Sequence, residues 1–231
     1  MLLHRMTSVA AIGMCTSAIA CSADGGLGQA EFSPECAPTD VQCVSLGFNA
    51  PIAVGGSVPL RVSSYFRGAT IPSLDLVSVN PGVVKTMGTD ITGVSAGAAA
   101  VLLLVPSPAE TPAGGGFETA SVLDFIHLHV DVPDRVGLRR LGADGAQADV
   151  LDSAVGMVMG DELRVAAVPL ERDSPLIGAD DGTWTVEGSG IALLRDGQRG
   201  RRRLVARTPG SALVTVQAFG LTTTLAVEVL P

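Results

Sequence analysis

From about residue 46 onward, apolar and polar residues alternate along the chain in short runs. In "SVPLRV" (57–62), Val58, Leu60 and Val62 fall on one side, and in "DFIHLHVDV" (124–132) Ile126, Leu128, Val130 and Val132 do the same. A period of two is that of a strand with one face buried. "DELRVAAV" (161–168) and "TLAVEVL" (224–230) repeat the pattern, so the expected elements are strands throughout.

The runs recur in order. Leu60-Arg61-Val62 matches Leu163-Arg164-Val165, and Leu76 and Val83 match Trp184 and Ile191. "SAGAAAVLLLV" (95–105) then matches "TPGSALVTVQA" (208–218), with Gly97 on Gly210, Val101 on Val214 and Leu103 on Val216. Finally, Val130-Asp131-Val132 matches Val227-Glu228-Val229. Gaps between these anchors differ in length, as expected where changes fall in loops; the largest lies in the Pro/Gly-rich segment 106–120.

This succession resembles the bacterial immunoglobulin-like domain, group 2, in two copies. The first copy carries "VGGSVPLRV", "LVSVNPGVVKTMG", "VSAGAAAVLLLV" and "IHLHVDV"; the second carries "VMGDELRVAAV", "WTVEGSGIALL", "TPGSALVTVQA" and "LAVEVLP". The first copy departs from the family in having Leu76 at the Trp-type position, and the second lacks the Asn-Pro turn. The resemblance implies an all-β chain of two tandem Ig-like β-sandwiches, over 46–134 and 135–231, joined at "PDRVGLRRL". It also implies a role as spacer or as binding module for a glycan, a host protein or another envelope component.

The N-terminus supplies an address. In "MLLHRMTSVAAIGMCTSAIACSADGG" a start carrying Arg5 is followed by a mostly apolar stretch from Thr7 to Ala20, the layout of a signal peptide over 1–20. As a helix that stretch would span about 21 Å, against a hydrocarbon core of about 30 Å. "SAIAC" resembles a bacterial lipobox, which implies lipidation of Cys21 and a membrane anchor; Cys15 follows Met14, which is not small, and is the weaker candidate. Secretion with cleavage after Ala20 and no lipid is the alternative.

Loss of Cys15 with the signal peptide leaves Cys36 and Cys43, a pair closing the small loop "CAPTDVQC". In an oxidising compartment they are expected to form a disulfide, worth about 2 kcal/mol by chain entropy. No further Cys or His lies nearby to complete a zinc site. The segment 21–45 is therefore expected to be a tether with a small disulfide loop.

Composition narrows the function. Apolar residues make up 47% of the chain but aromatics only 3%, with Gly 28 and Pro 14, which suits cores of aliphatic residues between many turns. The net charge of −8 argues against nucleic-acid binding. The one basic run, "RGRRR" (199–203), is expected to be an exposed hairpin. Sugar sites commonly use ring faces, and Trp184 and Tyr65 are the only Trp and Tyr.

Three constellations carry candidate chemistry. "GVSAG" (93–97) has the GxSxG form of a nucleophile elbow, but Ser95 should not be catalytic. An elbow needs a helix after the serine, and the second copy reads "ARTPG" followed by the alternating "ALVTVQA", so the element is a strand. Any triad would have to draw both Asp124 and His127 from one strand.

His127, His129 and Asp131 form a row of possible metal ligands on one strand face, for which a plain solvent face is the simpler reading. The loop "ERDSPLIGADDG" (171–182) gathers Asp173, Asp180 and Asp181, a candidate for calcium without EF-hand spacing and otherwise expected to be solvated.

No cofactor is implied. The function expected is a non-catalytic envelope lipoprotein in a structural or interaction role. A surface adhesin or carbohydrate-binding module, its site in 106–120 and 171–182, is the alternative, and a hydrolase using Ser95 the more remote one.

Overall fold

The computed structural model describes residues 26–36, 41–64, 75–106, 120–142 and 147–231. Residues 1–20, read as a signal peptide, with Cys15, Cys21, Tyr65 and most of the 106–120 loop, lie outside these residues.

The first half contains β1 (Ala30–Pro34), a short helix α1 (Val41–Leu46), β2 (Ile52–Ala53), β3 (Ser57–Ser64), β4 (Asp75–Ser78), β5 (Val84–Met87), β6 (Asp90–Gly93), β7 (Gly97–Pro106) and β8 (Ala120–Asp131). The second half contains β9 (Arg135–Leu141), β10 (Gln147–Val150), β11 (Ala154–Val158), β12 (Glu162–Glu171), β13 (Ser174–Pro175), β14 (Thr183–Gly188), β15 (Ile191–Arg195), β16 (Arg201–Ala206), β17 (Gly210–Ala218) and β18 (Leu221–Leu230).

Each half is a sandwich. Sheet β1-β3-β6-β5 packs on sheet β2-β8-β7-β4, and sheet β10-β9-β12-β16-β15 packs on sheet β11-β18-β17-β14. The inward residues of each pair of sheets share one core: Val58, Leu60, Ile91, Val101, Ile126 and Leu128 in the first, and Val165, Leu204, Val214, Val216, Leu225 and Val227 in the second. Both halves also open their second sheet with a short strand lying parallel to the last strand, β2 on β8 and β11 on β18.

The repeat thus holds as topology, with two adjustments of register. Gly97 pairs with Val130 and Gly210 with Val229, so the counterpart of Val130 is Val229, two residues beyond the Val227 expected from sequence. Because two residues is one strand period, the inward face is preserved and the slip is invisible to a hydrophobicity pattern. Likewise Val84 pairs with Gly93 as Ile191 pairs with Ala206, so Val84 rather than Val83 is the counterpart of Ile191. Val132 lies beyond β8 and is exposed.

Both turn glycines are required by their backbone. Gly97 has φ 141° and Gly210 φ 157°. A Cβ at Gly210 would also meet Ser189 Oγ at 2.7 Å.

Three loop expectations are corrected. Residues 30–34, placed in the tether, form β1 and pair with β3 from Ala30↔Ser64 to Pro34↔Leu60. The run 199–203 is no exposed hairpin, since β16 is an interior strand and Arg201 and Arg202 are buried. Arg202 has the parity of Leu204 and Ala206 and so points inward. Its guanidinium lies 5.6 Å from the Trp184 ring and donates to Arg201 O at 2.7 Å. Burial, with help from neighbouring Arg195 and against Asp181, holds its pKa below the ordinary arginine value.

The third correction concerns the segment read as a solvated acidic loop. Leu176 is 3% and Ile177 0% exposed, and Ile177 belongs to the core of the first sandwich. Ala53 N–H donates to Ile177 O and Ile177 N–H to Pro51 O, both at 2.9 Å. Ser57 and Ala179 exchange both backbone hydrogen bonds, at 3.0 and 3.1 Å. Gly178 and Gly56 make the contact without side chains between them: a Cβ on Gly178 would stand 3.1 Å from Gly56 Cα. Two of the acidic residues tie the loop to its neighbours. Asp180 accepts from Gly182 N–H and Phe219 N–H, and Asp173 pairs with Arg135.

Candidate functional site

Ser95 lies in the turn between β6 and β7 with no helix after it, because β7 begins at Gly97. Its Oγ donates to Gly82 O at 2.7 Å. The turn is zipped by Val94 N–H and Ser95 N–H, both donating to Val83 O. In the second sandwich Arg207 N–H and Thr208 N–H donate to Gly190 O in the same way. Ser95 therefore occupies a turn position common to both copies.

His127 and His129 are exposed on the outer face of β8, opposite Ile126, Leu128 and Val130 in the core, and the His127 ring packs edge-on against Phe125 at 5.4 Å. Asp131 is half-buried beside Ala53. Among the described residues, no group of three His, Cys, Asp or Glu side chains is placed to hold a metal ion.

Asp124 is brought to a different place from these. It has the parity of Ile126 and Leu128, points inward and is 0% exposed. Its carboxylate accepts hydrogen bonds from the backbone N–H groups of Leu27 (2.6 Å), Gln29 and Ala30 (2.7 Å) and Phe125 (2.8 Å). Burial is the largest single influence and favours the neutral acid. The four N–H donors together outweigh it and keep the pKa below the ordinary aspartate value. Asp124 thus latches residues 27–30 onto β8, in the segment expected to be free tether.

The latch is followed by a second tie. Cys36 and Cys43 form a disulfide with Cα atoms 5.5 Å apart, joining the end of β1 to α1, and Cys43 packs in the first core.

Between this disulfide loop and the docked segment of the second sandwich lies a cleft of about 840 Å³. Glu35, Arg61, Asp90 and Arg199 line it with Ser57 and Gly178, and Arg61 pairs with Glu35 at 3.2 Å. Pro34, Cys43, Val44 and Pro59 supply an apolar wall beside these charged groups, the mixture common in small-ligand sites where modules meet. The sequence offered no signal for this cleft, which exists because segments far apart in the chain meet there.

Among the described residues no helix is long and apolar enough to cross a membrane. No family model matches the chain and no curated protein matches it. Solved structures similar to it include domains 4 and 5 of the S-layer protein SbsC, 12% identical over 87% of this chain and 98% of that one, with a TM-score of 0.29. Invasin, a bacterial integrin-binding protein, is 12% identical over 88% of this chain and 40% of that one, TM-score 0.33. A titin fragment, A168169, is 12% identical over 78% of this chain and 95% of that one, TM-score 0.28. The strand order and the two cores carry the fold assignment: an all-β chain of two Ig-like sandwiches.

Proposed function

We propose that the chain is a non-catalytic protein of the bacterial cell envelope, held to a membrane by lipid on Cys21, that displays two Ig-like sandwiches in a structural or interaction role. The sandwiches are taken as 46–134, with β1 (Ala30–Pro34) and α1 added to the first, and 135–231, after a signal peptide over 1–20. The observation that supports the structural role is the insertion of Ile177 from the second sandwich into the core of the first, while the anchor rests on the "SAIAC" motif. A junction sealed by a core residue and paired backbone holds the two modules at a fixed angle, as a display stalk requires and a hinge would not.

Fractionation tests the anchor. The wild-type protein should sediment with membranes and its N-terminal peptide should carry the mass of acyl chains, whereas Cys21→Ser should release it. A Cys21→Ser variant that stays fully membrane-bound contradicts the reading.

The charged cleft favours a second reading, a surface adhesin or glycan-binding module. Under it, a polar glycan or envelope component binds between Arg61 and Arg199, and binding that is unchanged in Arg61→Ala and Arg199→Ala removes that site.

A further inference from the structure

The outer faces of the two equivalent sheets differ at matched positions. In the second sandwich Thr185, Thr215 and Thr224 stand side by side across β14, β17 and β18. The same places in the first sandwich hold Val77, Leu102 and Phe125 across β4, β7 and β8. The next row repeats the contrast on two of its three strands: Thr183, Gln217 and Thr222 in one, the edge residue Asp75 with Leu104 and Val122 in the other. Val77 is 42% and Val122 46% exposed. The threonine row is what this sheet carries where it meets water, being β-favouring and polar. The apolar row is the departure.

The latch places this face. Asp124, immediately before Phe125 in β8 but facing the core, holds Leu27 near the start of that strand. From Leu27 back to Cys21 is six residues, a reach of at most about 20 Å when fully extended. The opposite end of β8, at Val130 and Asp131, pairs with Ile52 and Ala53 where the second sandwich docks, about 20 Å further along the strand. The apolar rows therefore lie at the end nearest the N-terminal segment, and the second sandwich at the other.

We infer that the Val77–Leu102–Phe125 face rests on the lipid bilayer that holds the anchor, while the second sandwich, joined at the far ends of the same strands, takes no part in the contact. This rests on the lipidation of Cys21 proposed above. A chain tied at that distance keeps the face at the interface, and partial burial of apolar side chains among headgroups adds to the attachment. The protein's net charge of −8 disfavours an anionic lipid surface, so the matching partner is a zwitterionic one.

Hydroxyl-radical footprinting of the full-length lipidated protein in phosphatidylcholine/phosphatidylethanolamine vesicles, against the Cys21→Ser variant in solution, tests this. Labelling of Phe125 and Val122 should fall about fivefold or more on vesicles while exposed Met159 of the second sandwich is unchanged. Equal labelling of Phe125 in both states, with acyl chains present on the N-terminal peptide, overturns the docking face alone. Absence of acyl mass overturns the anchor, and the docking with it. Protection already present in the soluble variant and dependent on protein concentration assigns the face to a second copy instead, and equally overturns the proposal.

Discussion

The two sandwiches share a strand order but not a way of closing. The second fills its core from its own chain, with residues from Val136 to Val229. The first takes Ile177 from outside its own half, ties its N-terminal edge to a buried carboxylate, and fixes α1 with a disulfide. One topology can thus be completed by local packing alone or by additions at its open ends. The additions gather on the module nearer the N-terminus, where the proposed anchor would load it.

Breaking the shared core is expected to have the largest effect. Ile177→Ala should cost about 3 kcal/mol, as for a fully buried aliphatic truncation. The loss should fall on the first sandwich although the residue belongs to the second. In calorimetry the chain should change from coupled unfolding to two separated transitions, with the one followed by Trp184, the only Trp and part of the second core, nearly unmoved.

The Asp124 latch sharpens the comparison through pH. Its folded pKa is lowered, so the ionised carboxylate contributes stability that is fully present above the unfolded aspartate value and is lost as pH falls through the folded one. Asp124→Asn should cost about 2 kcal/mol near neutral pH, because an acceptor of charge-assisted hydrogen bonds becomes a neutral amide. It should also remove that acid-side decline from the first sandwich's denaturation midpoint, leaving the second sandwich unaffected.

The smallest effect is expected at Ser95. Its one hydrogen bond to Gly82 O is exposed, so Ser95→Ala should cost no more than about 1 kcal/mol and leave any binding activity intact. Ester hydrolysis by the purified protein, abolished by this change, would instead restore the nucleophile reading.

How much of this was legible in the sequence can be traced residue by residue. The main strands from Ser57 onward, the order of the repeat and the turns at Gly97 and Gly210 followed from period and spacing, while β1 and the start of β16 did not. The fate of "GVSAG" followed from its counterpart "ARTPG".

Asp124 was legible but missed: it continues the inward parity of Ile126, Leu128 and Val130, and a carboxylate in a core row has to find donors. The same parity argument places Arg202 with Leu204 and Ala206. Ile177 was not legible. "PLIG" is too short to show a period, and its partners Pro51 and Ala53 lie more than a hundred residues earlier. The apolar outer face was hidden for a related reason, since "AAAVLLLV" reads as uniformly buried until the pairing with Val77 and Phe125 separates its two sides.

Amide hydrogen exchange on the intact chain, wild type against Ile177→Ala, tests the central claim that the second sandwich completes the core of the first. The account predicts faster exchange in residues 52–64 and 126–131, with 204–206 and 225–229 keeping their wild-type protection. Loss confined to the second sandwich, with the first unchanged, would show that the two cores are independent and would contradict it.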